Sequence, residues 1–238
     1  MPRRFCSPSL KSLLILAPAL GLIVAGSPAA SAAPAAPAAP VIPAAQVHPL
    51  TSTWNGYADT NSSGNSYQEA SGSWVQPKIT CGASSTTGSV YWVGLDGYTS
   101  ASVEQVGTYA VCESGTAYYF SWWEMYPTDA IQIVGETVKP GDHITASVTK
   151  SGNDYVLKLT DATTSGNSFT TTQACASCSG ASAEWVQEPM GTPVVGSWTV
   201  TGATVKSGSV TGVIATFPHV AIGTAGSLNA AGNGFTVP

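Results

Sequence analysis

Ser182-Ala183-Glu184-Trp185-Val186-Gln187-Glu188-Pro189-Met190 is the stretch on which the reading of this chain turns. Read as a β-strand, its alternate side chains share a face, so Glu184, Val186 and Glu188 point one way and Ala183, Trp185 and Gln187 the other. Charged residues make up 9% of the chain, and two carboxylates on one face of one strand stand out against that background. A solvated strand face is the ordinary setting for acidic side chains. A glutamate that sits in a cleft and moves protons is the sharper reading. The choice depends on what the rest of the chain sets opposite Glu184.

Working outward, the chain reads as short strands separated by turns. Ser71 to Pro77 predicts a strand ended by proline. Ser89 to Leu95 predicts a stronger one, with Trp92, Gly94 and Asp96 on one face and Tyr91, Val93 and Leu95 on the other. In Ala101 to Val111, Val103, Gln105 and Gly107 share a face opposite Glu104 and Val106. In Ala117 to Tyr126, Tyr118, Phe120, Trp122, Glu124 and Tyr126 oppose Tyr119, Ser121, Trp123 and Met125. Both faces of that strand are aromatic, which predicts a strand covered on both sides. His143 to Lys150, Tyr155 to Asp161 and Ser197 to Val205 complete the pattern, joined by Gly-, Asn- and Asp-rich turns. No segment carries a helical period. The expectation is an all-β sandwich of antiparallel sheets.

The first fifty residues read differently. Arg3, Arg4 and Lys11 precede an apolar run, Leu13 to Val24, and then Ala30-Ser31-Ala32, the pattern of a secretory signal peptide cleaved after residue 32. Residues 33–50 form an Ala/Pro tract expected to be a linker or short pro-segment. Residues 51–238 are then one β-rich domain with a sizeable core. That domain holds five lysines and no arginine against thirteen Asp and Glu, an excess of eight negative charges. Such a surface does not hold a phosphate backbone, which needs clustered Lys and Arg. No membrane association is expected after signal removal, and the domain is expected to be a monomer. Four cysteines survive processing, an even number in an exported chain, which favours disulfides. Cys81 with Cys112 and Cys175 with Cys178 is the expected pairing, with the crossed pairings left open.

The residues also exclude chemistry. A Ser-His-Asp or Cys-His site needs a histidine in the fold, and only His143 and His219 are available, with no Gly-x-Ser-x-Gly elbow. No His-Glu-x-x-His or paired Cys/His spacing exists for zinc, and no cofactor is called for. Paired Asp-Thr/Ser-Gly loops and a phosphate-cradling glycine loop are both absent. What remains is a carboxylate chemistry supported by amides and aromatic rings.

Five separated motifs, in order, resemble those of the glutamic peptidases or eqolisins, secreted acid endopeptidases. They are Trp54-Asn55-Gly56-Tyr57, Tyr91 to Gly97 (YWVGLDG), Val103-Glu104-Gln105-Val106-Gly107, Trp122 to Pro127 (WWEMYP) and Ala183-Glu184-Trp185. The likeness spans roughly residues 54–193. Glu104 stands where the family has an apolar residue, and the cysteine positions differ from the fungal pattern. The resemblance implies a sandwich of two antiparallel sheets, concanavalin-like or jelly-roll-like, with the active site on a concave face. It implies Gln105 and Glu184 as the catalytic dyad, with Trp54, Trp92, Asp96 and Glu124 lining the same cleft and binding protein or peptide substrates.

That pair of residues suits the reaction. Ionised Glu184 would take the proton of an attacking water and return it to the leaving nitrogen. The Gln105 amide would donate to the oxyanion, while its carbonyl helps hold the water. A neutral glutamine does not raise the glutamate pKa as a second carboxylate would, so a glutamate near its reference value of about 4.3 is expected to serve as base in moderately acid water. Two alternatives use the same residues: a β-sandwich glycoside hydrolase built on Glu124 and Glu184, with Trp92 and Trp122 stacking on sugar rings, and a non-catalytic carbohydrate-binding module.

Overall fold

The computed structural model describes residues 53–60, 66–135 and 138–238. The signal-peptide and linker expectations fall outside the described residues. Sixteen strands follow in chain order: β1 Asn55–Thr60, β2 Tyr67–Val75, β3 Ile79–Thr80, β4 Gly88–Leu95, β5 Val103–Glu113, β6 Thr116–Tyr126, β7 Asp129–Gly135 and β8 His143–Ser151, then β9 Asp154–Asp161, β10 Phe169–Ala174, β11 Ser182–Met190, β12 Val194–Val195, β13 Trp198–Ser207, β14 Val210–Gly212, β15 His219–Ile222 and β16 Phe235–Val237. The helical segments among the described residues are two three-residue 3-10 turns, Ser165–Asn167 and Ile214–Thr216.

Two seven-stranded antiparallel sheets make a sandwich. The first runs β15-β1-β11-β4-β5-β6-β7 and the second β10-β9-β8-β2-β13-β14 with β16 on β13. Between them lies the larger core, in which Tyr57, Tyr91, Val93, Leu95, Val106 and Trp185 from the first sheet meet Trp74, Val148, Leu157 and Trp198 from the second. Ring edges meet ring faces there, as between Trp74 and Trp198 at 5.9 Å. Two indoles tie sheet to sheet through their N–H groups: Trp185 donates to the Ser71 carbonyl at 2.7 Å and Trp74 to the Thr108 hydroxyl at 3.2 Å. A buried polar tip that finds a partner in the opposite sheet fixes the orientation of the two layers as well as their contact.

The outer face of the first sheet carries a second apolar cluster, with Trp54, Ala58, Val90, Trp92, Tyr109, Phe120, Trp122 and Val186 at its centre. So β6 is covered on both sides, as its two aromatic faces predict. The strand β2 begins four residues before its expected start, and β7 and β10 add to the expected strands; their Ile131, Ile133, Val134, Phe169 and Thr170–Thr172 are strand-favouring residues that the sequence reading passed over. The cysteines pair Cys81–Cys112 and Cys175–Cys178, with Cα separations of 5.4 and 5.5 Å.

Candidate active site

Strand pairing brings the proposed residues onto one line. Ala58, Glu184, Gly94, Gln105 and Glu124 are successive cross-strand partners through β1, β11, β4, β5 and β6. Directly opposed residues share a face, so Glu184, Gln105 and Glu124 all project from the outer face of the first sheet. The next rung of that face is Gly56, Val186, Trp92, Gly107 and Trp122. Three charged or amide side chains thus lie in a row beside a row containing two indoles.

Gly94 is the gap in the first row. Two inter-strand steps separate the Glu184 and Gln105 backbones, about 10 Å at the usual strand spacing, and the edge of the Trp92 ring lies over the glycine between them. A Cβ at Gly94 would lie 2.9 Å from the Trp92 ring and 3.1 Å from the Glu104 carbonyl. The glycine is required by this close approach and not by its backbone angle. Trp54, just before β1, meets Trp92 edge to face with ring centroids 4.8 Å apart. Its ring also closes on Gly97, where an added Cβ would come within 3.0 Å of it.

The row is almost closed to solvent: Glu184 has no exposure, Glu124 3% and Gln105 8%. Burial disfavours a charged carboxyl. It holds Glu184 well above the ordinary glutamate range, the neighbouring Asp96 and Glu104 adding to the effect while the Ser182 hydroxyl and the Tyr98 backbone N–H oppose it. The expectation that Glu184 stays near its reference value is therefore corrected. It considered the neutral partner and not the cover over the strand. Glu124 is pushed up to about 7 by burial, opposed by the Gln105 amide and reinforced by Glu188. Gln105 donates through Nε2 to Glu124 Oε2 at 2.6 Å.

Several polar atoms on this face have no hydrogen-bond partner of good geometry: both Glu184 oxygens, Glu124 Oε1 and the Trp92 and Trp122 indole N–H groups. Buried unsatisfied groups are costly and few in folded proteins. Similar atoms lie inside the sandwich, on Asp59 and Glu104; what sets this face apart is that the unpaired carboxyl oxygens and indole N–H groups stand on two neighbouring rungs with the Gln105 amide.

Asp96 is placed differently from its fellows. It follows β4 with φ of 67°, outside the strand alternation. Its carboxylate accepts from the Gly180 and Ala181 backbone N–H groups at 2.6 and 2.7 Å and from the Ser100 and Ser179 hydroxyls, each at 2.9 Å. It supports the end of the row without lining it. Sequence reasoning also passed over Gly94 as a functional position, although an isolated glycine inside a strand signals close approach. Among the described residues, one trio of possible metal ligands, Glu104 with Cys175 and Cys178, comes within 4.8 Å. Both sulfurs are joined in a disulfide, so the trio offers no thiolate.

The profile of the peptidase A4 family matches residues 52–210. This chain belongs to the peptidase A4 family. It is a peptidase, with the β-sandwich of the glutamic peptidases. Scytalido-glutamic peptidase, solved with a peptide-based transition-state analogue, superposes with a TM-score of 0.63 at 19% identity, over 77% of this chain and 96% of that one. SCP-B, a member of the eqolisin family solved with the tripeptide Ala-Ile-His, superposes with a TM-score of 0.58 at 18% identity over the same shares. At these identities the superpositions speak for the fold. No curated protein sequence matches the chain.

Proposed function

We propose that this family member is a secreted endopeptidase that hydrolyses protein substrates in the acid range through Gln105 and Glu184, with no metal and no covalent intermediate. The observation that carries the reading is the single row Glu184–Gly94–Gln105–Glu124, with its gap at Gly94 and its cover from solvent. The Trp92 ring lies over Gly94, so a scissile peptide and its water come between Glu184 and Gln105 once that ring moves aside.

Ionised Glu184 takes a proton from the water as its oxygen bonds to the carbonyl carbon. The Gln105 N–H not engaged by Glu124 donates to the oxyanion that forms. Glu184 then passes the proton to the amide nitrogen as the C–N bond breaks, so the proton count closes with one water consumed. A low-dielectric, preorganised surround strengthens the Gln105 contribution. Because burial favours the protonated carboxyl, the ionised base is the minor form in strong acid, and turnover rises with pH through the acid range. Substrate entry requires the cover over the row, including the Trp54 edge, to shift.

The carbohydrate readings fit the geometry less well. Gln105 stands between Glu184 and Glu124 on the row and its amide is bonded to the Glu124 carboxylate at 2.6 Å, a contact that a carboxylate pair acting on a sugar leaves without a role. Trp92 and Trp122 have at most 1% exposure and present no platform to a sugar.

The test is hydrolysis of an unfolded protein from pH 2 to 7 by the wild type, Glu184→Gln and Gln105→Ala, each checked for folding and each assayed with a chelator present. Cleavage in the wild type that both substitutions abolish supports the dyad. Cleavage that survives both refutes it.

A further inference from the structure

We propose that Glu104 is a positioning residue for the peptidase reaction: as a neutral acid it donates a hydrogen bond to Asp96, which holds the 175–181 loop and the head of β11, the strand bearing Glu184. The inference rests on the reading of Glu184 as the working carboxyl.

Glu104 precedes Gln105 but points the other way, into the sandwich, on the interior rung Asp59, Ala183, Leu95, Glu104 and Met125. It is fully buried. Neither of its oxygens receives a well-formed hydrogen bond from an amide or hydroxyl; the polar groups against it are the Asp96 carboxylate and the Ser102 hydroxyl. Asp96 already accepts from four donors, which makes it the ionised member of the pair. Two carboxyl groups in contact bond only when one carries a proton, so that proton belongs to Glu104.

From Asp96 the path to Glu184 is short. The carboxylate accepts from residues 179–181, and the Asp96 backbone N–H donates to the Ser182 carbonyl at 3.0 Å. Ser182 opens β11 two residues before Glu184, and its hydroxyl faces that carboxyl. From the second sheet, Lys150 Nζ donates to the Cys178 carbonyl at 2.6 Å and to the Tyr155 hydroxyl at 2.5 Å, so the loop is gripped from both layers. The groups facing Glu104 are thus Asp96, Ser102, Lys150, Tyr155 and the Cys175–Cys178 disulfide, with Asp59 along the rung and Glu184 across the sheet. Burial and the Asp96 charge push Glu104 up to about 9, with Lys150 opposing, while its donors hold Asp96 below the ordinary range despite burial. Losing the proton would set two buried carboxylates against each other beneath the loop.

The experiment compares wild type, Glu104→Gln and Glu104→Ala in two ways. The first is the pH profile of kcat/KM. Glu104→Gln keeps a donor that does not titrate, so its alkaline limb moves to higher pH; Glu104→Ala loses activity at pH 5 on the order of tenfold to hundredfold. The second does not depend on catalysis: reduction of Cys175–Cys178 by a phosphine, effective in acid and base alike, with the new thiols trapped by alkylation and Cys81–Cys112 as internal reference. In the wild type the loop disulfide is protected at pH 5 and becomes reducible as the pH approaches 10, in Glu104→Gln it stays protected throughout, and in Glu104→Ala it is reducible throughout. A Glu104→Gln protein with the wild-type pH dependence in either readout overturns the proposal. If no form cleaves peptides, the dyad reading fails, while the reduction profile still decides the role of Glu104 in holding the loop.

Discussion

The Gln105 side-chain amide donates to the Glu124 carboxylate at 2.6 Å, and the two residues are direct cross-strand partners. The bond engages one of the two amide hydrogens and so fixes the plane of the Gln105 side chain before substrate arrives. Glu124→Ala should leave Gln105 free to rotate. We expect kcat to fall about 10- to 100-fold with little change in KM, read from steady-state kinetics. A change in KM alone would assign Glu124 to substrate binding instead.

Removing the Gln105 amide removes a donor aimed at the developing oxyanion. Gln105→Ala is expected to lower kcat by about 10²–10³-fold, the usual cost of one such donor, and also to lower thermal stability, because the buried Glu124 carboxyl loses its amide donor; activity is compared on folded protein. A loss below tenfold would mean that another group binds the oxyanion.

Gly94→Ala tests the gap between Glu184 and Gln105. The new methyl would press on the Trp92 ring at 2.9 Å and on the Glu104 carbonyl at 3.1 Å, and a backbone carbonyl in a central strand has little room to yield. The variant should lose most activity and also stability. Gly94→Ala with Trp92→Leu relieves the ring contact only. Set against Trp92→Leu alone, recovery of folding in the double variant with cleavage still below that of the single Trp92→Leu protein would separate the two roles of this position.

Stability should be greatest in acid and fall as the pH rises. Asp59 is fully buried on the interior face, with neither oxygen bonded, and burial pushes it up to about 8; Glu104 is pushed to about 9. Both lie above their unfolded values near 4, so between those limits the native state binds more protons than the unfolded chain. The stabilising contribution is complete below about pH 4 and is lost towards pH 8–9, at up to about 1.4 kcal/mol per pH unit for each proton. Asp96, held low, has the opposite sign and loses its contribution only as the pH falls through its depressed value. Urea midpoints should therefore drop steadily from pH 4 to 8, and Asp59→Asn should shallow the slope by about one proton. Equal midpoints at pH 4 and 8 would contradict the assignment.

The Cys81–Cys112 bridge closes a loop of sequence separation 31 between β3 and β5. On chain-entropy grounds, a bridge of that span contributes about 3–4 kcal/mol. Replacing both cysteines by serine should lower the unfolding midpoint accordingly, measured by denaturant titration, and leave the pH profile of cleavage in place. A shifted profile would tie this bridge to the site.

By itself, the sequence determined the β-sandwich, the faces of Glu184, Gln105 and Glu124, and the family, because strand alternation is a two-residue period and the five motifs are local. Trp92 and Gln105 fall on the same face in both the reading and the fold for that reason. Alternation failed at Asp96 because it holds only while the backbone stays extended, and φ turns positive there. Only the tertiary structure decided which strands stand side by side. That order puts Gly94 between Glu184 and Gln105 and puts Glu124 within reach of the Gln105 amide. The protonation of Glu184 belongs to the same level. Burial depends on what packs over a strand, and the residues that cover Glu184 and set Asp96 and Glu104 beside it come from strands and loops far away in the chain.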